Sequence, residues 1–532
     1  MSAERFSPSE LAVIQQLFAA IPEEMGAVLG RTAYSSNIKE RRDYSCALFN
    51  AEGELLVQAA HIPVHLGAMP RSVEAVLTDF PVLQAGDVVM LNDPFRGGSH
   101  LPDVTLVSPL FLEGESSPSG YAATRAHHAD VGGMTPGSLP NSENIYQEGL
   151  RIPPVRLQRQ GILEEDLLRI FCANSRNPAE RKGDLRAQLQ SHQLAELRWR
   201  TLGKRAGGPG ALREMGAALV EYGQRKMQSC LEGLPQGSWS HTEELETLGR
   251  ENAFTVLRAE MTVAEGGVTV DFRASDDAVR GSLNAVHAIC ESAVYYGFLC
   301  LVSARFPGEM LPVNQGTFRR IECLTRRGSV LDAGWPHAVA GGNVETSQRV
   351  VDCVLGLLAK ALPGTFPAQS QGTMNNVTLG GAYQGGHFSY YETLGGGAGA
   401  GPAMPGADAV QVHMTNTLNT PVEALEFSTP LRVRAYSIRE DSGGAGKQRG
   451  GHGLIREWEM LESMEVTLLS ERRKLAPAGM AGGKNGKPGA QFRITAAGTP
   501  VPLEAKGSWR FEPGERLRIE TPGGGGYGEP DA

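Results

Sequence analysis

Side chains that bind hard metal ions are concentrated in one stretch of this sequence, at positions typical of strand ends and turns. Carboxylate oxygens and imidazole nitrogens together suit manganese, iron or zinc, with coordination positions left open for water or substrate. The pattern therefore indicates metal-assisted chemistry. The candidate ligands are Glu40, Asp43, His61, His65, Asp93, His100, Asp103, His127, His128 and Asp130.

The most specific candidate for a metal site is the pair His100 and Asp103, three residues apart, together with His127 at the end of a later strand. A carboxylate from Glu40 can complete a mixed nitrogen and oxygen ligand set. The alternative is that these are separate hydrogen-bonding groups in loops.

A second pair, His61 and His65, has the i, i+4 spacing of ligands on a helix, but Pro63 lies between them and argues against a helix. On an extended segment the two would still share a face. Substrate contact or core packing is the commoner role for such residues.

The sequence around these side chains also predicts the helices and strands that must position them. Ser7, Pro8 and Glu10 form a capping box that predicts a helix start, and apolar residues at helical spacing continue it to Thr32. Strand signals follow, so that Glu40 stands where a helix gives way to a sheet. The predicted strands are Ser45–Phe49 and Leu55–Ala59 as a hairpin, then Asp87–Leu91, Val104–Val107 and Tyr121–Ala126, the last ending at His127.

The rest of the chain divides by pattern. Residues 164–225 are charged and helical, with breaks near 174–178 and 207–210, and predict a solvated helical layer over a sheet. Residues 253–274 alternate as paired strands, and two helices are predicted near 285–305 and 345–362.

From residue 380 onward, short strands alternate with glycine clusters, which permit close backbone approach. The sequence thus predicts a mixed α+β protein of several layers, with an N-terminal sheet that carries the site, a central helical layer and a glycine-rich β region at the C-terminus. The predicted regions are 1–160, 161–250, 251–378 and 379–532.

Composition excludes several classes of protein. The net charge of −9 and pI near 5.8 argue against a partner that is nucleic acid or an anionic membrane. The polar N-terminus and the lack of long apolar runs predict a soluble cytoplasmic protein. Seven widely spaced cysteines without a C-x-x-C pair predict free thiols.

No nucleotide-binding loop can be completed. Gly395-x-Gly397 is followed by Gly401-Pro402, which cannot open a phosphate-binding helix. The glycine-lysine sequence ending at Lys447 lacks the Ser or Thr of a Walker A loop, and so does the one ending at Lys484. If ATP is used, another chain supplies its site. The serine-hydrolase elbow is also incomplete around Ser370.

Short motifs along nearly the whole chain carry a further signal. They are Glu40-Arg-Arg-Asp43, His61-Ile-Pro-Val-His65, Leu91-Asn-Asp-Pro-Phe95, Gly97-Gly-Ser-His100-Leu-Pro-Asp103, His127-His-Ala-Asp130, Tyr146 to Pro154, Gly342-Asn-Val-Glu-Thr-Ser347, Asn416 to Glu423, and Thr521 to Gly526. Together these motifs resemble the hydantoinase B family. This family comprises the B subunits of ATP-dependent N-methylhydantoinases, the carboxyl-terminal half of 5-oxoprolinase and related subunits of acetone and acetophenone carboxylases.

The resemblance implies a two-part enzyme and a hetero-oligomer. ATP is held by an A-type partner, which phosphorylates the carbonyl oxygen of a small cyclic amide, and the B-type partner completes the attack. The resemblance also implies one divalent ion, with manganese expected and zinc or iron as alternatives, held by Glu40, His100, Asp103 and His127. His127 is preferred to His128 because family members often carry Trp at the second position.

For the catalytic groups, Asp130 or His65 can orient or deprotonate a water molecule, and Asp93 can act there or hold a ligand histidine. The leading function is therefore the metal-dependent B subunit of an ATP-dependent hydrolase of hydantoins or 5-oxoproline-like lactams. The alternatives are a subunit of an acetone- or acetophenone-type carboxylase and a non-catalytic assembly subunit.

Overall fold

The protein, represented by a computed structural model, is described for residues 6–59, 61–247, 254–308 and 311–530. Helices and strands alternate along these residues, as expected of a mixed α+β protein. The helices are α1 Pro8–Thr32, α2 Ser36–Lys39, α3 Ala68–Asp79, α4 Glu165–Ala173, α5 Pro178–Ala206, α6 Pro209–Leu231, α7 His287–Arg305, α8 Gln315–Phe318, α9 Ser347–Ala361 and α10 Val422–Ser428.

The strands form four sheets, two in the first two thirds of the chain and two in the last third. The strands are β1 Tyr44–Asn50, β2 Leu55–Gln58, β3 Val88–Leu91, β4 Asp103–Leu110, β5 Gly120–His127, β6 Val155–Arg159, β7 Ile162–Leu163, β8 Gly237–Glu246, β9 Phe254–Ala264, β10 Gly267–Asp271, β11 Ile321–Leu324, β12 Asn376–Tyr383, β13 Gly386–Glu392, β14 Leu431–Arg439, β15 Gly453–Met460, β16 Met464–Leu469, β17 Ala490–Ile494, β18 Pro500–Pro502, β19 Lys506–Phe511 and β20 Arg516–Glu520.

The N-terminal sheet has seven antiparallel strands in the order β2-β1-β5-β4-β3-β6-β7. Successive residues of β1 point to opposite faces. Cys46 and Leu48 pack under the helices α1, α5 and α6, whereas Ala47 and Phe49 pack under α3. Both faces of this sheet are therefore covered, and its central strands are buried throughout.

Helix α1 confirms the predicted capping box. The Ser7 hydroxyl accepts from the Glu10 amide, and the Glu10 carboxylate accepts from the Ser7 amide at 2.7 Å. Phe18 on the buried stripe meets Trp199 of α5 edge-on, with ring centroids 6.0 Å apart. The local signals thus place α1, and this aromatic contact fixes it against the helical layer.

The helical layer consists of α4, α5 and α6, with breaks close to the two predicted ones. It is less solvated than the charge pattern suggested. Helix α5 buries Trp199 and also a charged pair, Arg181 and Asp184, whose side chains lie 3.1 Å apart. A charged helix can therefore be largely internal when its charges pair with one another.

The middle of the molecule is built on α7, α9 and a four-stranded sheet in the order β11-β10-β9-β8, in which β10 and β11 are parallel. Its apolar core draws side chains from all four predicted regions, for example Ile62, Leu168, Phe298 and Leu469. The division at 160, 250 and 378 stays a prediction. In the described part of the chain, α7 alone is long and apolar enough to cross a membrane, and most of it is buried in this core.

The last third folds as two sheets that enclose a core around Trp458, with strand orders β13-β12-β16-β19 and β14-β15-β20-β17-β18. Beside them, glycine-rich segments run together and exchange backbone hydrogen bonds. Gly451 donates to the Ala398 carbonyl at 2.8 Å, and Gly524 donates to the Gly451 carbonyl at 2.9 Å. We call this the glycine bundle, and it comprises residues 395–401, 443–453, 479–486 and 523–526.

Candidate metal centre

The predicted ligands His100, Asp103 and His127 meet at one end of the N-terminal sheet. Asp103 begins β4 and lies directly opposite His127, the last residue of β5. His100 precedes β4 in a tight turn, and its Nδ1 lies 3.1 Å from Asp103 Oδ2. The rings of His100 and His127 have centroids 5.1 Å apart. Two side chains from neighbouring strands and one from the turn before β4 thus form one buried cluster.

Several polar atoms of this cluster are buried without a hydrogen-bond partner. They are both ring nitrogens of His100, Oδ1 of Asp103 and Nε2 of His127. The close approach of His100 to Asp103 lacks hydrogen-bond geometry, so it does not satisfy either group. Buried polar groups in folded proteins are normally paired, and a set of unpaired ones at one place is a sign of a ligand site. As placed, however, no three His, Cys, Asp or Glu side chains of the described residues form a ready metal shell.

The surroundings of the cluster favour an ionised Asp103 and a neutral His127. Burial tends to raise the pKa of Asp103, but the neighbouring His100 and His65 hold it well below its usual value. Burial, reinforced by His100, lowers the pKa of His127 well below that of a free imidazole. An ionised carboxylate and a neutral imidazole are the forms that bind metal ions.

Asp43 occupies the place beside these ligands. Its carbonyl accepts from the His127 amide at 3.0 Å, and β1 continues that register by pairing Tyr44 with Ala126. Asp43, which directly precedes β1, therefore stands in a row with His127 of β5 and Asp103 of β4. Burial raises the pKa of Asp43, against the Arg41 guanidinium, which lowers it.

Glu40 lies differently. It ends α2, is half-buried, and lines two surface cavities of about 660 and 680 Å³. Across the described residues, no hydrogen bond or ion pair joins its carboxylate to His100, Asp103 or His127. Its assignment as a ligand stays a prediction.

His127 is held by residues from distant parts of the chain. Asn37 of α2 places its Nδ2 3.1 Å from His127 Nδ1. Tyr391 of β13 stacks on the His127 ring with centroids 4.7 Å apart. Arg41 lies over the ring of the same tyrosine, 4.5 Å from its centroid, and donates to the Tyr391 carbonyl at 3.1 Å. Neither Asn37 nor Tyr391 was singled out from the sequence.

Strand alternation separates His127 from its neighbour His128. The side chain of His128 points to the helical face, where Nε2 lies 3.0 Å from Gln188 Oε1 of α5. His61 also lies apart from the cluster: its Nδ1 accepts from the Cys46 amide, and its ring meets Tyr44 edge-on.

The three predicted catalytic residues have different surroundings. His65 contacts the cluster, with Nε2 3.3 Å from Asp103 Oδ2 and Nδ1 2.8 Å from the Ser45 hydroxyl. Asp130 is fully engaged, because Arg176 and backbone amides occupy both of its oxygens. Asp93 caps a short turn through the Phe95 amide, and burial raises its pKa. Of the three, His65 is the one in contact with a predicted ligand.

Two further buried carboxylates lie in motifs that carried no predicted role. Glu148 Oε1 accepts from the Ser142 hydroxyl and from the amides of Val339 and Ala340, while Oε2 is buried and unpartnered. Burial raises the pKa of Glu148 to about 7, against the hydrogen bonds from Ser142, Ala340 and Val339, which lower it.

The second carboxylate, Glu345, lies in a π-helical turn at Gly342–Thr346 that leads into α9. Its Oε1 accepts from the amide of Met374 and from Asn376 Nδ2. Asn376 in turn accepts from the Tyr391 hydroxyl at 2.8 Å, which links this turn to the wall behind His127. Single-turn π-helices frequently mark functional sites.

Comparison with known proteins gives consistent matches over nearly the entire length. The family model described as hydantoinase B/oxoprolinase matches residues 7–530. The 5-oxoprolinase 1 of Arabidopsis thaliana is 37% identical over 547 residues, which is 98% of this chain but 42% of that protein. The B subunit of a putative D-/L-hydantoinase from Pseudomonas sp. is 28% identical, with 99% of this chain and 91% of that protein covered.

Solved structures agree in fold. The crystal structure of an ATP-dependent caprolactamase from Pseudomonas jessenii superposes with a TM-score of 0.90 at 30% identity, over 98% of this chain and 91% of that one. An acetone carboxylase in nucleotide-free form superposes with a TM-score of 0.86 at 18% identity, over 99% and 76%. At that identity the second likeness shows the fold alone.

Proposed function

This chain belongs to the hydantoinase B/oxoprolinase family, and from that premise we propose that it is the metal-dependent B subunit of an ATP-dependent cyclic-amide hydrolase. The substrates proposed are hydantoins or 5-oxoproline-like lactams. The observation that carries the proposal is the buried cluster of His100, Asp103 and His127, whose ligating atoms lack partners.

The choice of reaction follows the relatives that this chain resembles at higher identity. Those named 5-oxoprolinase and caprolactamase act, by their names, on cyclic amides. The carboxylase alternative is supported by likeness of fold only. A non-catalytic assembly subunit would have no need for buried, unpartnered imidazoles, because such groups destabilise a fold unless a ligand satisfies them.

ATP enters the proposal through a partner. The glycine-rich sequences of this chain lack the residues of a phosphate-binding loop. The Pseudomonas relative is named as one subunit of a hydantoinase, and this chain spans only 42% of the plant 5-oxoprolinase. We therefore propose a hydantoinase A-type partner that binds ATP, in a hetero-oligomer.

The ligand set proposed is His100, Asp103 and His127 with one further carboxylate, and the donor types fit manganese, zinc or iron. When bound, a divalent ion supplies positive charge that polarises an amide and activates water. The chain's own residues prepare for it. His65 and Ser99 contact Asp103 Oδ2, so that Oδ1 stays free.

Asn37 has a defined part in this arrangement. A metal-binding imidazole uses one nitrogen for the ion and donates its other N–H to a neighbouring acceptor. If His127 holds the ion through Nε2, its Nδ1 carries the proton and needs an acceptor. As placed, the amide nitrogen of Asn37 faces Nδ1, while its oxygen accepts from Arg41 at 3.4 Å. A half-turn of the Asn37 amide would supply the acceptor and give up the contact with Arg41.

The fourth ligand is either Glu40, as the family resemblance implies, or Asp43, whose position in the row with His127 and Asp103 favours it. The test is metal analysis of Glu40→Gln and Asp43→Asn beside His100→Ala. If Asp43 is the ligand, D43N and H100A lose bound metal and E40Q keeps it. Equal metal content in H100A and the wild type would reject the whole ligand assignment.

The reaction is tested separately, by co-purification with an A-type partner and ATP turnover against a panel of lactams and ketones. A cyclic-amide hydrolase gives a ring-opened amino acid that depends on ATP and on His100. Incorporation of bicarbonate into a ketone would instead identify a carboxylase. If the complex turns over no substrate and holds no metal, the assembly-subunit alternative stands.

A further inference from the structure

Glu148 is a buried carboxylate with one satisfied and one unsatisfied oxygen. Three donors fix Oε1: the Ser142 hydroxyl at 2.7 Å and the amides of Val339 and Ala340 at 3.0 Å each. Oε2 is buried and accepts from no group. The carboxylate is therefore held firmly through Oε1, while Oε2 is left without a donor among the described residues.

This arrangement is rare in the molecule. Within residues 6–59, 61–247, 254–308 and 311–530, Glu148 and Glu345 are the buried carboxylates that keep an unpartnered oxygen and have no basic side chain at ion-pair distance. Several other buried acids are neutralised by a basic side chain, as Asp130 is by Arg176 and Glu471 by Lys506. A buried carboxylate oxygen without a donor lowers the stability of the fold, so a purely structural role does not explain it.

Its location connects it to the metal centre. Glu148 lies near enough to His100 for the two charges to interact. The loop that holds its Oε1 also contributes Ala340, which packs against Tyr391, the residue stacked on His127. The loop that holds Glu148 thus packs against the ring that stacks on His127. Glu345 is also linked to Tyr391, through Asn376, but Glu148 has in addition the interaction with His100, so we take it as the better placed of the two.

We propose that Glu148 transfers protons between the attacking water and the nitrogen of the ring, an inference that rests on the proposed cyclic-amide hydrolysis. In the O-phosphorylated substrate the ring carbon is doubly bonded to nitrogen. The water oxygen bonds to that carbon, and the C=N π pair moves to nitrogen. The proton lost by the water passes to Glu148 Oε2 and from there to the nitrogen.

Ring opening completes the balance. The C–N bond breaks with its electron pair on nitrogen as the new hydroxyl becomes a carbonyl, and the hydroxyl proton follows the same route. The nitrogen leaves as an amine and Glu148 ends as the carboxylate that it was. The carbon remains as an acyl phosphate, which a second water molecule hydrolyses to the carboxylic acid and inorganic phosphate. General acid–base groups of this kind contribute about 10²- to 10⁴-fold to rate.

The test uses the complex reconstituted with its ATP-binding partner. Glu148→Gln is expected to retain its metal and its ability to form about one ADP per site, while the ring-opened acid forms at least ~100-fold more slowly. Formate is expected to restore part of the activity of Glu148→Ala, because a small carboxylic acid can occupy the vacated space. Turnover of E148Q within threefold of wild type would overturn the assignment, and so would a failure of formate to restore any activity.

A matched control is Glu246, another buried carboxylate that accepts from backbone amides, those of Arg473, Lys474 and Leu475. Glu246→Gln is expected to keep wild-type turnover, with no response to formate. Equal losses in E246Q and E148Q would mean a structural role for both. If E148Q fails to fold, Ser142→Ala is the alternative, because it keeps the carboxylate and removes one donor to Oε1. S142A is expected to retain its metal and to open the ring several-fold more slowly. Unchanged turnover of S142A would count against the proposal.

Failure of this proposal and failure of the proposed function give different results. If wild type opens lactams, H100A does not and E148Q does, the function stands and the role of Glu148 is wrong. If wild type opens no cyclic amide with any partner, the proposed function fails and Glu148 has no such reaction to serve.

Discussion

Replacing Gly451 by alanine tests whether the glycine bundle contributes to stability. A Cβ at this position would lie 1.9 Å from the Ala407 carbonyl oxygen and 2.8 Å from the Ala398 amide nitrogen. Carbon atoms in contact with other heavy atoms prefer about 3.5–4.0 Å, so neighbouring segments must separate by more than an ångström. That movement disrupts the hydrogen bonds of Gly451 with Ala398 and Gly524.

The magnitude follows from these losses. Two buried backbone groups left poorly paired cost about 1–3 kcal/mol each, and the overpacking adds about 1–3 kcal/mol. We expect Gly451→Ala to lower the free energy of unfolding by about 3–9 kcal/mol. An unfolding entropy of about 2.1 cal/mol/K per residue over 532 residues converts this to a fall in melting temperature of roughly 3–8 °C. Differential scanning calorimetry at a single protein concentration measures this shift.

The control lies in the same bundle. At Gly401 the nearest heavy atom to an added Cβ is Met404 Cγ at 3.5 Å, an ordinary contact. Gly401→Ala is therefore expected to melt within about 2 °C of wild type, or slightly higher because alanine restricts the unfolded chain. If G451A and G401A have the same melting temperature, the close packing of the glycine bundle does not contribute to stability.

Three other changes test separate parts of the fold. Burial raises the pKa of Glu345 from 4.5 to about 8, so the folded protein holds a proton that the unfolded chain has lost. The free energy of unfolding therefore falls as pH rises from about 4.5 to 8, by up to roughly 5 kcal/mol. Glu345→Gln should flatten this slope in urea titrations at several pH values, and an unchanged slope would contradict the argument. Phe18→Ala removes the contact with Trp199 and should cost about 3–5 kcal/mol in the same titration; a loss below about 1 kcal/mol would contradict tight packing there. Tyr391→Phe leaves the buried Asn376 oxygen unpaired and should cost about 1–3 kcal/mol with metal content unchanged by elemental analysis.

Local sequence signals predicted the elements that depend on neighbours in the chain. The capping box at Ser7 fixed the start of α1, and the glycines near 207 marked the break between α5 and α6. The hairpin of β1 and β2 and the strand that ends at His127 also agree with the structure. In each case the determining interactions lie within a few residues of each other.

The surroundings of the site could not be predicted, because they depend on contacts between distant segments. Tyr391 reaches His127 only after the C-terminal sheets have packed, and Glu148 is fixed by amides nearly 200 residues away. Asp43 was among the candidate ligands, but its place beside His127 follows from the pairing of β1 with β5, which the sequence does not state. Knowing that pairing, strand alternation alone would have put Asp43 and His127 on one face.

The stacking of Tyr391 on His127 has a consequence for how the protein is made. A ribosome adding about 5–20 residues per second needs roughly 15–50 s to travel from one to the other. During that interval the nascent chain already carries His100, Asp103 and His127, but not the tyrosine that later stacks on His127. If these residues hold an ion, as proposed above, we expect the ions present in the growth medium during expression to determine its identity, more than ions added after purification.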